Sequence, residues 1–302
     1  MIDLHMHSLY SEDGEFTPFE LIQKCVKNNI NIMCISDHNS VRANIDGSEI
    51  AALTDIIYVP GIEIDCTVYN TNFHLLGYGI DYKSRDFYEI EQNIEKQSVK
   101  ASHIMLEKTR ALGFQIENKD LMKLSNKNYW KNRWTGEMFA EVLLEMPEYY
   151  DHPLLSPYRP GGSRSDNPYA NFYWDFYAQG KPCHAKIDYP PMEEVIYIIH
   201  RNDGKAVLAH PGMNLKGKEE LLSQIAALGL DGIEVFSSYH TPKETDFYYH
   251  EAKRLKLYMT AGSDFHGKTK PAIELGKYSS TSAGINFEHA NDIDFISWLN
   301  PT

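Results

Sequence analysis

The first fourteen residues, MIDLHMHSLYSEDG, contain three side chains that can bind a metal ion: His5, His7 and Asp13. Side chains two positions apart on a β-strand point to the same face. His5 and His7 can therefore hold one ion from a single strand end, while Asp13 returns from the following loop. Near the other end of the chain, AGSDFHG again places Asp264 and His266 two residues apart. This pattern predicts that the first and last strands meet around a polynuclear metal site.

Further potential ligands stand at the ends of short apolar segments that are typical of buried strands. Ionisable side chains are rarely buried without a partner, so their repeated appearance at strand ends indicates a shared use. The segments and residues are NINIMCIS before Asp37 and His38, IIYVPGI before Glu63, HLLGYG with His74, and KAVLAHPG with His210.

The elements that must position these residues fall into two flanking parts and an insertion. Residues 1–82 are predicted to form β-α-β units, in which Thr17-Pro18-Phe19-Glu20 provides a capping box and a proline at the start of the first helix. Strand–helix alternation returns over 203–280, with a helix predicted over 218–230. Between them, residues 83–190 begin with a long amphipathic helix, predicted over 85–112 and ended by Gly113. A polar, aromatic-rich region follows, whose rings form either a separate small core or a cap that stacks on a substrate.

The motifs HMHSLYSEDG, ISDHN, GIEI, FHLLGYG, LAHPG and GSDFHG resemble, in this order, those of the PHP (polymerase and histidinol phosphatase) family, and within it the stand-alone phosphoesterases. The resemblance implies an α/β fold, a distorted (β/α)7 barrel with an α-helical insertion or cap. The barrel domain would comprise residues 1–82 and 191–302, and the insertion residues 83–190.

The resemblance also implies a trinuclear centre of divalent transition metal ions. One ion would be held by His5, His7, Glu63 and Asp264. Glu63 would bridge to a second ion bound by His74 and His210. Asp13, His38 and His266 would hold the third. Asp37 matches a family position that is not a ligand, and we expect it to orient His38 or a ligand water.

Four further residues are candidates for substrate binding or catalysis. Asn132-Arg133 matches a family motif in which the arginine reaches the substrate phosphate, and the planar guanidinium suits that task. GKPCHAKI lies where relatives carry a substrate-contacting residue, a role that either His184 or Lys186 would fill. His240 follows a strand end, where it is a leaving-group acid, a partner of a ligand, or a solvated loop residue.

The composition limits the class of partner and the compartment. A net charge of −13 argues against a surface for long nucleic acid, whereas three divalent ions would make the site locally positive and attract a small anion. The sequence has no apolar run long enough to span a membrane. A strand at Ile2 leaves no room for a signal peptide, and the four cysteines form no CxxC pattern, so we expect a cytoplasmic protein. The oligomeric state is not predicted.

Imidazole and carboxylate ligands suit Mn, Fe or Zn. With Glu63 bridging two ions, a shared hydroxide is expected to attack phosphorus in line, without a covalent intermediate. Small phosphorylated metabolites, in particular nucleoside monophosphates or 3′,5′-bisphosphonucleotides, are the expected substrates of this phosphoric ester hydrolase. One alternative is a hydrolase of small cyclic phosphates. An alternative of another class is a non-catalytic, metal-binding structural module.

Overall fold

The computed structural model describes residues 1–126, 129–287 and 295–299. Within them, eight strands form a three-stranded sheet, β1-β2-β3, and a five-stranded sheet, β4-β5-β6-β7-β8. The strands are β1 Ile2–Asp3, β2 Ile32–Met33, β3 Ile57–Tyr58, β4 Gly61–Val68, β5 Thr71–Tyr78, β6 Lys205–Leu208, β7 Gly232–Ser237 and β8 Tyr258–Gly262. The first sheet is parallel throughout, and the second is parallel from β6 to β8.

Eleven α-helices connect and cover the strands within the described residues. They are α1 Pro18–Lys27, α2 Ala43–Ala51, α3 Arg85–Ala111, α4 Asn118–Ser125, α5 Gly136–Glu145, α6 Pro168–Phe176, α7 Met192–Arg201, α8 Pro211–Asn214, α9 Leu222–Ala226, α10 Pro242–Leu255 and α11 Phe295–Trp298. None of the helices in the described part of the chain is both long and apolar enough to span a membrane.

Strands β4 and β5 form an antiparallel hairpin, and β5 is also antiparallel to β6. This pairing differs from the β-α-β alternation predicted through residue 82. The hairpin turns at Tyr69 and Asn70, whose φ angles are 50° and 57°. Two consecutive residues with positive φ make the tight turn that matches the twist of paired strands. The register places Asp65 opposite His74, which brings two ionisable side chains together.

The two sheets are joined by backbone hydrogen bonds at both sides. On one side Leu4 N donates to Ala261 O (3.0 Å) and Asp264 N donates to His5 O (2.8 Å). On the other, Glu63 N donates to Asp37 O (3.1 Å). The first and last strands therefore meet, as predicted. A mixed α/β fold with parallel sheets is confirmed, while its closure as a seven-stranded barrel stays a prediction.

The helix boundaries follow local sequence signals. Helix α1 begins after Thr17 with the predicted capping box, in which Thr17 and Glu20 bond each other's backbone N–H. Helix α3 ends one residue before the predicted limit, and Gly113 follows it with φ 101°. The helix predicted over 218–230 is shorter, because a 3-10 turn occupies Glu219–Leu221 and only Leu222–Ala226 is α-helical.

The insertion has a hydrophobic cluster of its own, whose buried members all lie between Leu106 and Cys183. Helix α3 takes part in two clusters: Phe87, Ile90 and Ile94 pack in the main core, and Leu106 packs in the insertion. The long helix therefore connects the sheets to the insertion. The division at residue 83 stays a prediction.

Candidate metal centre

Six imidazole rings form one continuous cluster where the strands end. Neighbouring ring centroids lie 3.9 Å (His7–His266) to 5.5 Å (His5–His210) apart. The rings come from the segments after β1, β2, β6 and β8 and from β5 itself. They belong to His5, His7, His38, His74, His210 and His266.

The Glu63 carboxylate on β4 lies at the centre of this cluster and is fully buried. Its Oε2 is 3.2 Å from both His5 Nε2 and His7 Nε2. Its Oε1 is 2.9 Å from His74 Nδ1 and 3.1 Å from His210 Nε2. Its two oxygens therefore face two different sets of imidazoles, which is the geometry required of a carboxylate that bridges two ions.

The nine predicted ligands are brought together in groups whose ligand atoms lie within 4.8 Å of one another. Three of these groups contain the three predicted sets, the third with His7 added. A fourth group includes Asp65, which the sequence analysis did not select. The groups are His5-His7-Glu63-Asp264, Glu63-His74-His210, His7-Asp13-His38-His266 and His38-Asp65-His74.

The site has the unpaired polar atoms that a metal centre requires. Buried polar atoms are rarely left without a partner unless an ion or water completes them. In the described part of the chain, seven buried atoms of the predicted ligands have no hydrogen-bond partner: His5 Nε2, His7 Nε2, Asp13 Oδ1, His38 Nδ1, Glu63 Oε2, Asp264 Oδ1 and His266 Nε2. Imidazole and carboxylate donors of this kind fit divalent transition metal ions.

The opposite ring nitrogens are fixed by partners that the sequence analysis did not identify. Glu234 Oε1 accepts from His5 Nδ1 at 2.9 Å, and Glu234 Oε2 accepts from the backbone N–H of His210 at 2.8 Å. Asn214 Oδ1 lies 2.7 Å from His210 Nδ1. Such contacts fix the tautomer and orientation of a ligating imidazole. The only sequence signal for Glu234 was a charged residue inside the apolar strand DGIEVF.

Asp37 has a different partner from the predicted one. Its oxygens accept from Ser8 N and Ser8 Oγ, both at 2.6 Å. Burial raises the pKa of Asp37 to about 6, against the opposing effect of His7 and of these hydrogen bonds. Asp37 therefore fastens the loop between His7 and Asp13, and among the described contacts its carboxylate has no hydrogen bond to His38.

The carboxylates of the cluster are held in the ionised form that metal ligands need. Burial opposes ionisation, but His5, His38 and His74 hold the pKa of Glu63 well below its usual range. Burial likewise opposes ionisation of Asp13, and His266 and His38 lower its pKa. The strain of the site is visible in the backbone, since His210 and Asp264 have φ angles of 24° and 58°.

Two buried cations lie next to the cluster. Arg133 pairs with Glu12, and its guanidinium lies 4.5 Å from the centroid of the Trp130 ring. Lys270, which the sequence analysis missed, donates to Asp264 Oδ2 at 2.6 Å. Burial opposes its charge, but Asp264 keeps the pKa of Lys270 well above its usual value. Lys270 therefore places positive charge beside a predicted metal ligand, whereas Arg133 is placed by its pairing with Glu12, the residue before Asp13.

A cavity adjoins the cluster and extends towards the insertion. Its lining includes the ionisable side chains of Glu12, Asp13, His38, Asp65, His74, Glu137 and Lys270. It also includes the rings of Trp134, Tyr173, Trp174, Tyr177 and Tyr189.

The two candidates from GKPCHAKI have different surroundings. His184 lines the cavity beside the cluster. Lys186 does not line it: its side chain is 78% exposed, pairs with Asp188 and borders a neighbouring groove. The structure therefore brings His184 to the site and leaves Lys186 outside it, so it does not support substrate binding by Lys186 at this cavity.

His240 is bonded to the backbone at both ring nitrogens. Its Nδ1 donates to Val235 O at 2.8 Å, and its Nε2 accepts from Gly212 N at 3.0 Å. Burial lowers its pKa, consistent with a neutral ring. Because neither nitrogen is free to protonate a leaving group, the structure does not support the predicted acid role. It gives His240 a positioning role, holding the turn after His210 against β7.

Comparison with known proteins identifies the family. The PHP domain family matches residues 3–162. The chain belongs to this family. The 5′-3′ exoribonuclease Rnm of Escherichia coli strain K12 is 28% identical over 291 residues, covering 94% of this chain and 90% of that protein. The 3′,5′-nucleoside bisphosphate phosphatase of Chromobacterium violaceum is 25% identical over 278 residues, covering 91% of this chain and 90% of that protein.

A third PHP relative is the phosphoribosyl 1,2-cyclic phosphate 1,2-diphosphodiesterase of Eggerthella lenta, 23% identical over 268 residues, covering 88% of this chain and 94% of that protein. The fold is shared with a structure described as an amidohydrolase from Chromobacterium violaceum, at a TM-score of 0.76 and 23% identity, covering 94% of this chain and 93% of that one. The predicted family is confirmed, and so is the predicted class of enzyme, a phosphoric ester hydrolase.

Proposed function

We propose that this PHP protein is a metal-dependent phosphoesterase that cleaves the ester on the 3′ oxygen of small 5′-phosphorylated nucleotides, with 3′,5′-bisphosphonucleotides as its preferred substrates. The observation that carries the proposal is a single cavity lined both by potential metal ligands with Lys270 and by aromatic rings of the insertion. Metal ions and Lys270 would bind a phosphate, and the rings would stack on a base.

The number and the identity of the metal ions are part of this proposal. Three ions, each Mn, Fe or Zn, would be held by the three predicted ligand sets, with Glu63 shared between two of them. When bound, they would supply Lewis acidity to the phosphate oxygens and a nucleophilic water at neutral pH. A distorted (β/α)7 barrel and a cytoplasmic location complete the proposal.

The chain's own cations take the charge that moves onto the phosphate oxygens. Lys270 lines the cavity and is held by Asp264. Arg133 is fixed by Trp130 and Glu12, and Glu12 itself borders the cavity. Preorganised cations of this kind stabilise phosphoryl-transfer transition states without further reorganisation.

The insertion supplies the surface for the base. Tyr173 and Tyr177 line the cavity, as does Trp134, whose buried indole N–H has no hydrogen-bond partner in the described residues. Aromatic rings bind any base by stacking, at about 1–3 kcal/mol per base. A donor without a partner beside them can add a hydrogen bond to a base acceptor.

The names of two relatives are both compatible with cleavage of the bond between phosphorus and the 3′ oxygen. A 5′-3′ exoribonuclease and a 3′,5′-nucleoside bisphosphate phosphatase can both act by cutting phosphorus from the 3′ oxygen of a 5′-phosphorylated nucleotide. They differ in the group that this phosphorus carries on its other side: a further nucleotide in the first case and none in the second. The net charge of −13 favours the small substrate, whereas the exoribonuclease relatives favour an RNA 5′ end, which we carry as a second candidate.

The test is chromatographic analysis of the products, together with phosphate release, for Mn²⁺-loaded protein supplied with AMP, adenosine 3′,5′-bisphosphate, a ribose 1,2-cyclic phosphate or a 5′-phosphorylated oligoribonucleotide. Product analysis is needed because cleavage of the oligonucleotide or opening of the cyclic ester releases no inorganic phosphate. We expect conversion of the bisphosphate to AMP. Shortening of the oligonucleotide with a higher kcat/KM would favour the exoribonuclease, and turnover of the cyclic ester alone would favour the cyclic phosphate alternative. If metal-replete protein turned over none of these substrates, the non-catalytic structural module would be the remaining alternative.

A further inference from the structure

Asp65 lies at the boundary between the ligand cluster and the cavity. It follows Glu63 by two residues on β4, so both side chains lie on the same face. Glu63 is completely buried, whereas the Asp65 side chain is 14% exposed and lines the cavity. Asp65 is therefore the next residue after the proposed bridging ligand Glu63 on this face of β4, and unlike Glu63 it is partly exposed.

The Asp65 carboxylate is held in one orientation by two neighbours. Asn39 Nδ2 donates to Asp65 Oδ2 at 2.5 Å, and Asp65 N donates back to Asn39 Oδ1 at 3.0 Å. His74 Nε2 lies 3.0 Å from Asp65 Oδ1. A carboxylate has about four acceptor positions, so these contacts leave further positions on each oxygen. The carboxylate is preorganised and can still accept a hydrogen bond.

Asn39 reaches Asp65 from a conformation that asparagine adopts at a cost. Its φ is 55°, in the left-handed region, and its side chain is almost fully buried. Strained backbone of this kind persists where the surrounding structure fixes it, often at functional sites. The surrounding structure therefore holds Asn39 and Asp65 in fixed positions in the lining of the cavity.

Asp65 lies close both to potential metal ligands and to an aromatic residue of the cavity. It forms a group of potential ligands with His38 and His74. Tyr189 lines the same cavity and lies beside β4, since Thr67 Oγ1 donates to Tyr189 O at 3.4 Å and Thr67 N donates to Pro190 O at 2.9 Å. In a nucleotide, the group between the phosphate and the base is the sugar.

A carboxylate repels phosphate and accepts hydrogen bonds from hydroxyl groups, as acidic residues do for ribose in dinucleotide-binding folds. When the 5′ and 3′ oxygens are both esterified, the 2′-hydroxyl is the free hydroxyl of the ribose. We propose that Asp65 accepts a hydrogen bond from the substrate's 2′-hydroxyl and so makes this enzyme selective for ribonucleotides. The inference rests on the proposed function.

The experiment compares adenosine 3′,5′-bisphosphate with its 2′-deoxy analogue. A hydrogen bond to a charged group corresponds to about a 10- to 100-fold difference in kcat/KM, which we expect for the wild-type protein in favour of the ribonucleotide. Asp65→Ala is expected to reduce this ratio to within about threefold, mainly by slowing the ribonucleotide. Asp65→Asn, whose amide oxygen still accepts a weaker hydrogen bond, should give an intermediate ratio. Asp55→Ala, which removes an aspartate outside the cavity, is the matched control and keeps the ratio.

An equal loss on both sugars, with the ratio unchanged, would overturn the inference and leave Asp65 as a residue that acts only through His74. A second measurement covers variants that lose metal: calorimetric binding of AMP and 2′-deoxy-AMP to metal-free protein. The wild type should bind AMP more tightly, and Asp65→Ala should bind both alike; equal binding by the wild type contradicts the inference. If neither bisphosphate is hydrolysed but the preference for AMP remains, the proposed function fails and the sugar contact stands.

Discussion

At the scale of single residues, Glu63 contacts most of the imidazole rings in the site. Its two oxygens approach five imidazoles at 2.9–3.2 Å, although it is completely buried. The basic neighbours stabilise the ionised form of this buried carboxylate, so a neutral side chain at the same position would leave them without a negatively charged partner. The consequences of neutralising it can therefore be predicted.

Glu63→Gln keeps the shape of the side chain and removes the charge shared by two ligand sets. Loss of a partner one layer further out already costs about 10–100-fold in metal affinity or activity, so we expect kcat to fall by more than about 100-fold. The measurement is phosphate release together with metal content by mass spectrometry. Glu91→Gln, at a buried carboxylate that pairs with Arg42 away from the cavity, is the control. Retained turnover would refute the bridging assignment.

Arg133 is predicted to act on the substrate and not on the metal ions. Its guanidinium pairs with Glu12 and lies over the face of Trp130, and a guanidinium has no lone pair to offer a metal ion. Arg133→Ala should lower kcat/KM for phosphate esters about 10- to 100-fold and leave the metal content unchanged. Arg133→Lys, which keeps the charge but loses the planar fork, should recover part of this loss. If the variant lost metal instead, Arg133 would be a structural residue.

The limits of prediction from sequence are also clearest at single residues. His5, His7, Asp264 and His266 were predictable because two-residue spacing at a strand end fixes their common direction. Glu234 was not, because a glutamate in a strand normally indicates a solvent-facing position. Its partners, His5 and the His210 backbone, are distant in sequence.

At the scale of elements, local signals located the start of α1 and the end of α3 but did not predict the pairing of β4 with β5. Thr17-Pro18 marked the start of α1, and Gly113 marked the end of α3. The β4–β5 hairpin depends on Tyr69 and Asn70 both adopting positive φ, and tyrosine gives no sequence signal for that conformation. The resulting register places Asp65 opposite His74. Because the hairpin was not predicted from the sequence, the position of Asp65 beside His74 was not predicted either.

Helix α10 offers a test of an element that holds the site from outside. Thr241 caps the helix: its hydroxyl accepts from Glu244 N, and the Glu244 carboxylate accepts from Thr241 N. Thr241→Ala should lower the free energy of unfolding by about 1 kcal/mol, measured by urea denaturation of metal-free protein at pH 7. Thr54→Ala, outside any helix, should lower it less.

The pH dependence of this cap has a definite sign. Burial acts to raise the pKa of Glu244, but the hydrogen bonds from Thr241 outweigh it and lower the pKa. A lowered pKa means that the carboxylate stabilises the fold above its unfolded-state pKa and loses this contribution as the pH falls through the folded-state pKa. The effect of Thr241→Ala should therefore shrink in acid, and an effect that grew in acid would contradict the assigned cap.

At the scale of the whole molecule, the metal centre joins parts of the chain that are farthest apart in sequence. His5 and His7 lie just after the first strand, and Asp264 and His266 follow the last. Without ions, their buried ligand atoms have no hydrogen-bond partner among the described residues, so the folded chain pays a desolvation cost there. Ions that complete these atoms bind the folded state and not the unfolded chain.

Metal binding should consequently stabilise the entire fold. Chelator-treated protein is expected to melt at a lower temperature, and added Mn²⁺ should raise Tm with the logarithm of its concentration above Kd, with about 2.7 kcal/mol gained at a hundredfold excess over Kd. His7→Ala, which removes a member of two ligand groups, should show a smaller rise, whereas His103→Ala in the insertion should match the wild type. Because His7 contacts ligands from both ends of the chain, an equal rise in His7→Ala would mean that the ions do not bind at this cluster.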